Sequence, residues 1–398
     1  MTSVNTAPLR LLLVVSATVA GDRPPDSAPR RDYEVLAQRV NATVLDRSQI
    51  RTSRSARVVA RLFGYPLAQA WVAFRRRRAF DAILTDGEHI GIPLALLLKL
   101  ARDRTAHVTI GHRLTAAKKR PFFRWLRVQT HVTRFALHAR RQYDLATQRL
   151  SIPAEQLALL PYQVDTAFWQ PQAVPEERLI CSAGLEFRDY PTLVRAVHDL
   201  NVQVVIGAAS HWSKRRNSAK DAKYSPSIKV GAFDYAALRA LYARSAIVVV
   251  PLDDTDFQAG VTTILEAMAM GKPVIVTHSQ GQTDVVEDRR RITRGAVPRA
   301  RPTSFLRTLA IEAGLDMEPT GFYVPPNDPS ALRNAIVYLL DHPQARRQLG
   351  AAGRRVVQEL LTVEQFGERL AALLVEARTA IAVQQARQPE RDMRPSRA

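Results

Sequence analysis

Short apolar runs, each closed by a glycine or polar turn and followed by a helical pattern, constrain this chain more than any other feature. Leu11–Val15 reads as a strand and Tyr33–Val40 as an amphipathic helix. Ala82–Thr85 reads as a strand ending in Asp86-Gly87-Glu88, Ile90–Leu100 as an apolar helix and His107–Gly111 as a strand. A second series opens at Leu179–Gly184 and continues through Val202–Gly207, Ile247–Pro251 and Pro273–Thr277, with helical patterns between and after them to about Ala386. Strand, turn and helix in alternation describe a parallel sheet covered on both faces. A chain of 398 residues is long enough for two such units. Between them, Leu159–Pro175 reads as a linker, with four prolines lying between 153 and 175. The expected division is 1–165, then 166–375, with 376–398 as a helix end and a frayed polar tail.

Composition adds limits. The hydrophobic fraction of 46% is that of a folded chain with ample core. The single cysteine, Cys181, excludes an internal disulfide and a thiolate metal cluster, and suits a reducing compartment such as the cytoplasm. The formal charge of +20 suits nucleic acid, anionic lipid or phosphorylated ligands. Eight of the 57 basic residues are lysine, a skew that a GC-rich coding sequence also produces, so charge alone selects no partner. Two readings stand for the start. One is a secretory signal with Leu11–Val19 as its apolar core, and the other a buried strand from Leu9 to Ser16. The weak charge before the run and the need for a first strand favour the strand. No apolar run reaches the roughly 18 residues of a membrane span.

The stretch from Pro251 to Val286 carries the most chemistry. A strand ends at Pro251, a polar loop leads to Gln258-Ala259-Gly260, and a helix reads Val261–Met270 before the glycine stop at Gly271 and Pro273. The next strand, Val274–Thr277, runs into a second glycine turn at Gly281, with another helix expected from Thr283. Ligands of open α/β sheets bind beyond the carboxyl ends of the strands. A helix start at Gly260, with the amides of Val261 and Thr262, offers unpaired N–H groups and the positive end of a dipole to a diphosphate. Thr262 and Glu266 are four apart, and Val261, Ile264, Leu265 and Met268 form the expected buried stripe. Glu266 suits ribose hydroxyls better than phosphate.

Read whole, QAGVTTILEAMAMGKPVIVTHSQGQTDVV (258–286) resembles the signature of the family 4 retaining glycosyltransferases. The resemblance implies the GT-B fold, two Rossmann-like domains with a cleft between them, and a nucleotide diphosphate sugar as donor. It implies that Glu266 binds the donor ribose. The family's other motif glutamate, which contacts the donor sugar, falls on Gln258, so hydrogen bonding is kept and a negative charge is lost. The linker LLPYQVDTAFWQP resembles the family's interdomain connection, and SAGLEFRDYPTLVRAV its phosphate-binding stretch. There, beside Gly184, Leu185 replaces an arginine and Arg188 stands where lysine is usual, as the expected diphosphate clamp. A surface arginine paired with Asp189 is the plainer reading of Arg188. Lys272 is a further candidate for offsetting leaving-group charge.

In the first domain, Ile110-Gly111-His112-Arg113 follows a strand and faces the cleft. By itself His112 reads as loop surface; the resemblance assigns it to the donor sugar, with handling of the acceptor proton a further option. Asp86, Glu88 and His89 are acceptor contacts or helix-capping groups, and Gly21 with Arg30-Arg31 lines the other side of the cleft or forms a plain turn. The basic clusters Arg75–Arg78 and Lys118–Arg127, the second interleaved with Phe122, Phe123 and Trp125, read as solvated faces. Peripheral contact with an anionic membrane is an option and a nucleic-acid groove a lesser one. Asp253-Asp254-Thr255-Asp256 has the look of a metal-binding Asp-x-Asp, but the resembled family works without an obligatory metal, and no cofactor is expected.

The expectation is therefore a metal-independent retaining glycosyltransferase in the cytoplasm or at the inner face of its membrane. It acts on an unidentified small-molecule, glycan or lipid acceptor, with no nucleic-acid partner. A catalytically silent nucleotide-sugar-binding protein is the rival, on the strength of Gln258 and Leu185. Sugar specificity is expected in loops such as 214–229, which patterns do not read.

Overall fold

A computed structural model of the chain describes residues 9–19, 26–208, 225–288 and 305–392, with side chains to 386. Gly21 and residues 214–224 of the expected specificity loop lie outside the described residues.

The N-terminal lobe contains β1 (Leu11–Val14), α1 (Asp32–Val40), β2 (Thr43–Leu45), α2 (Arg54–Phe63), α3 (Tyr65–Arg76), β3 (Ala82–Thr85) and α4 (Glu88–Leu100). It continues with β4 (Ala106–Gly111), α5 (Arg120–Arg124), β5 (Arg134–Leu137), α6 (Arg140–Leu150) and β6 (Leu157–Leu159). Its sheet is parallel throughout, in the order β2-β1-β3-β4-β5-β6. Both faces are buried: Leu11 and Leu13 join one core with Leu84 and Val108, while Leu12 and Val14 pack with Ile83 against α3 and α4. Double-sided burial is why these strands read as unbroken apolar runs. The run at Leu11 is thus a strand between two parallel neighbours.

The C-terminal lobe repeats the plan with β7 (Leu179–Ala183), α7 (Tyr190–Val197), β8 (Gln203–Gly207), β9 (Ile228–Gly231), α8 (Tyr235–Arg244), β10 (Ile247–Val250) and α9 (Val261–Ala269). It goes on through β11 (Val274–Thr277), α10 (Phe305–Glu312), β12 (Gly321–Val324), α11 (Pro329–Asp341), α12 (Pro343–Leu360) and α13 (Val363–Asp392). Its parallel order is β12-β11-β10-β7-β8-β9. Helix ends obey local chemistry. Asp189, Asp234 and Asp328 each accept a backbone N–H in the first turn of α7, α8 and α11, and Gly271 (φ +69°) follows the end of α9.

Each sheet reverses its strand order once, between β1 and β3 and between β7 and β10. Crevices open at the carboxyl ends of such switch points. The chain crosses between lobes at the linker and again before α13. These crossings lie side by side, with Val164 N donating to Leu361 O and Val363 N to Val164 O. Arg30 clasps the junction through Asp165 (2.6 Å) and Glu364 (2.7 Å), so it holds the hinge and does not line the cleft as expected.

Two further expectations change. Phe366, Leu370, Leu374 and Ala377 of α13 are buried in the core of the N-terminal lobe, and α13 runs on to Asp392. Residues 363–375 therefore pack away from the lobe to which the sequence division assigned them, and the helix runs past its expected end near Ala386 to Asp392. Residues 281–288 form no helix, so the helix expected from Thr283 does not begin there.

Gly350 of α12 presses on the turn after α9: an added Cβ would collide with the Gly271 carbonyl oxygen. Gly350→Ala is expected to destabilise the fold by about 1–3 kcal/mol through overpacking. Calorimetry should show a melting temperature lower by several degrees; an unchanged one would mean that α12 shifts freely.

Candidate active site

The loops following β7 and β10 are stitched together at the switch point of the C-terminal sheet. Arg188 and Leu252 form an antiparallel bridge, Asp189 N donates to Pro251 O at 3.1 Å, and Asp253 N donates to Phe187 O at 3.0 Å. This pairing sets Gly184–Arg188 against Gln258–Thr262. Together they wall a cavity of about 580 Å³ that His112, His138 and Tyr162 close from the N-terminal lobe.

Arg188 is the keystone of that wall. Its guanidinium donates to Ala183 O (2.8 Å), Glu186 O (2.8 Å) and Thr263 Oγ1 (3.2 Å), and it is buried, so the surface pairing with Asp189 is overturned. Asp189 spends its carboxylate on the first turn of α7. Burial pulls the Arg188 pKa down, while Tyr190, Tyr242 and nearby carboxylates oppose the shift. The guanidinium lies between two glycines with left-handed backbones, Gly184 (φ +101°) and Gly260 (φ +75°). A Cβ on Gly184 would strike Nη2 of Arg188, and one on Gly260 would meet Nη1 at 3.3 Å and Val250 at 2.8 Å. Glycine is thus required at both positions by conformation and by close approach.

Gly260 starts α9 with no side-chain cap. The first N–H groups of the helix accordingly have no partner within it, and with Arg188 they bring positive character to one wall, as an anion site requires. Gln258 lies beside them, half-buried, and its Oε1 is sequestered with no hydrogen-bond partner among the described residues. The residue lines the cavity, so an unpaired acceptor on it is a cost that a hydrogen bond from a ligand hydroxyl would relieve.

Glu266 stands one turn inside α9 and is buried, not a solvated helix residue. Tyr242 of α8 donates its hydroxyl to Oε2 at 3.1 Å. Burial pushes the carboxyl up to about 8, against the opposing pull of the Tyr242 hydrogen bond and the Arg188 charge. Near neutral pH the group therefore holds its proton, which reduces repulsion toward a neighbouring diphosphate and lets it both donate to and accept from a diol.

His112, from the loop after β4, meets the cavity opposite. Its Nε2 donates to the Asp86 carbonyl oxygen (3.1 Å), and its ring lies 5.4 Å from that of His138. Glu88 fixes the loop from behind, accepting from His112 N (2.9 Å), Arg113 N (3.0 Å) and Lys119 Nζ. Burial alone would raise the Glu88 pKa. The charges of His112 and Lys119 and these hydrogen bonds outweigh it and hold the group at about 2.

Glu88 is consequently a brace for His112, with both oxygens occupied, and not an acceptor contact. Asp86 accepts from Ser16 N (2.6 Å) and Ser16 Oγ (2.8 Å) across the other switch point, and neither it nor the exposed His89 lines the cavity. The cap position of α4 is Gly87, so Asp86 does not cap that helix.

Gly281 is also off the wall. Its amide donates to Thr255 O at 2.7 Å, and an added Cβ would strike the Phe257 backbone, so it serves loop packing and not phosphate. Lys272 sits at the opposite end of α9, 4.0 Å from Glu176, too remote to offset leaving-group charge. In the acidic loop, Asp254 accepts from Gln280 N and Nε2, and Asp256 reaches Arg113 of the other lobe at 3.3 Å.

Sequence reasoning missed His138, Tyr162, Tyr242, Thr263 and the Arg113–Asp256 pair. His138 follows a strand as His112 does, and that position was its one signal. Tyr242 and Thr263 are unremarkable helix residues until the fold brings them to Glu266 and Arg188.

Residues 187–342 match the family described as glycosyl transferases group 1. No curated protein matches the chain. Solved structures similar to it include a glycosyltransferase from Rickettsia africae ESF-5, at 14% identity and TM-score 0.63, covering 93% of this chain and 99% of that one. HepE of Anabaena, in complex with UDP and glucose, is 13% identical with TM-score 0.63, covering 92% and 99%. Sucrose-phosphate synthase from Thermosynechococcus elongatus is 18% identical with TM-score 0.63, covering 93% and 100%. These likenesses establish the GT-B fold, and the family match supports a glycosyltransferase.

The raised Glu266 pKa has a sign that can be checked. Between its ordinary 4.5 and about 8, the native state keeps a proton that the unfolded chain releases, so rising pH destabilises the fold across that window. Thermal denaturation of the ligand-free protein should lose stability from pH 5 to 8 (about that span), and Glu266→Gln should flatten the slope relative to the parent. Identical slopes would show that the carboxyl ionises normally.

Proposed function

We propose that the protein is a retaining glycosyltransferase that takes a sugar from a nucleotide diphosphate donor and works without an obligatory metal. The observation that carries this reading is the shared cavity wall: the uncapped start of α9, Arg188, the buried Glu266 and Gln258 line one cavity with His112 of the other lobe. The donor diphosphate rests on the Val261 and Thr262 amides beside Arg188. Its ribose is held by Glu266, and its sugar hydroxyls by Gln258 and His112. The acceptor oxygen forms its bond to the anomeric carbon on the face from which the diphosphate leaves. The anomeric C–O bond breaks with its electron pair going to the phosphate oxygen, which receives the acceptor proton. Configuration is thereby retained. Closure of the lobes excludes water and limits hydrolysis of the donor.

The complexed UDP and glucose of HepE are in keeping with such a donor. The acceptor is a small molecule, a glycan or a lipid, and no nucleic acid is invoked. A cytoplasmic location, with peripheral contact at an anionic membrane face, belongs to the same reading. The second reading, a silent binding protein, draws on the amide of Gln258 where the resembled family has a carboxylate.

A thermal-shift screen of the full chain against nucleotide diphosphate sugars tests the donor site. A ligand at 100 times its Kd should stabilise by about 2.7 kcal/mol, and Glu266→Ala should erase the shift. No response across the panel sinks the proposal. Sugar transfer by the parent chain supports the enzyme; tight binding with turnover only in Gln258→Glu supports the silent protein.

A further inference from the structure

A second concavity lies at the far end of the N-terminal lobe from the cleft, where β3 and β4 begin. It is a groove of about 810 Å³ between the turn after α3, the turn after α4 and one side of α13. Six cationic side chains line it against two carboxylates, and both carboxylates are already engaged. Asp81 accepts three hydrogen bonds from Arg10, at 2.8–3.3 Å. Asp103 accepts from Arg77 (2.7 Å) and from Thr105 N and Oγ1.

The remaining cations find little to neutralise them. Lys99 and Arg104 each donate to backbone carbonyls, of Leu126 (2.7 Å) and Thr130 (2.8 Å), which orients them without cancelling their charge. The side chains of Arg78 and Arg102 make no hydrogen bond or ion pair among the described residues, and Arg378 closes the groove from α13. The potential is felt locally: the His131 pKa is lowered by burial and then by Arg104 and Lys99. Gathered cations at a concave surface raise the local concentration of anions, and guanidinium groups match phosphate geometry in particular. The rim has a different character. Leu100 and Trp125 are 75% and 73% exposed beside Leu126, whose carbonyl Lys99 holds. Exposed tryptophan and leucine next to cations suit the interface of an anionic bilayer.

We propose that this groove is a second anion site, separate from the cleft, for a phosphate-bearing group: a phospholipid headgroup or a soluble phosphate. The site does not depend on the transferase reading. The test uses the full chain and two probes, phosphatidylcholine vesicles with or without phosphatidylglycerol, and inorganic pyrophosphate followed by calorimetry. Arg78→Ala/Arg102→Ala should weaken whichever probe the groove binds by about tenfold, the scale of lost charge-assisted contacts. Arg149→Ala/Arg347→Ala, an equal loss of charge on exposed surface elsewhere, should not. Melting temperatures check that each variant is folded. Pyrophosphate held in the cleft is insensitive to both pairs, so failure of the donor site and failure of the groove are told apart. Loss of vesicle binding in Trp125→Ala, with pyrophosphate binding intact, assigns the groove to a lipid. Pyrophosphate binding that needs the arginine pair, with no preference for anionic vesicles, assigns it to a soluble ligand. Binding of neither probe, or equal weakening by the control pair, overturns the proposal.

Discussion

One buried guanidinium organises the candidate site. Arg188 ties the loop after β7 to α9 by donating to Ala183, Glu186 and Thr263. It fits there because Gly184 and Gly260 leave room above and below it. A buried charge in a region of low polarity is costly unless fully hydrogen-bonded. The carbonyl oxygens around Arg188 meet that demand from one side. The same arrangement brings positive character to the cavity wall, beside the first amides of α9. Local structure, packing and electrostatics therefore converge on a single side chain.

Much of the architecture was legible from periodicity. Strands buried on both faces are apolar runs, so β1, β3, β4, β7, β8, β10, β11 and the two-lobe plan could be read without coordinates. The strands β2, β6 and β9 could not, nor could β5, whose following turn carries neither glycine nor aspartate. The helix Val261–Ala269 was placed within one residue because glycine flanks it at both ends. Association over long range was not legible. Glu88 and Gly281 both lie in turns at the sheet edge, where ligand contacts are expected. Only the fold reveals that Glu88 spends its oxygens on the His112 loop and Gly281 its amide on Thr255. Tyr242 carries no local mark and His138 only its place after a strand, since their hydrogen-bond partners lie 24 and 22 residues away in sequence.

The two lobes meet through few polar contacts. Arg113 reaches Asp256 and lies over the rings of Phe187 and Phe257, Gln142 donates to the Asp256 carbonyl, and Arg140 N donates to Asp284. All of them border the cavity's two loops or lie close by. Contacts of this kind are cheap to break and remake, which suits a cleft that must admit one substrate and then exclude solvent.

The path of α13 bears on how the molecule is built in time. The core around Leu11, Leu84 and Val108 includes Phe366, Leu370 and Leu374, so the N-terminal lobe is completed by a helix that follows the whole C-terminal sheet in sequence. The C-terminal sheet, whose strands all lie before residue 325, has its full set of strands earlier. A ribosome therefore delivers every strand of the C-terminal sheet before the helix that covers the N-terminal core, and that core stays partly open until α13 has been made.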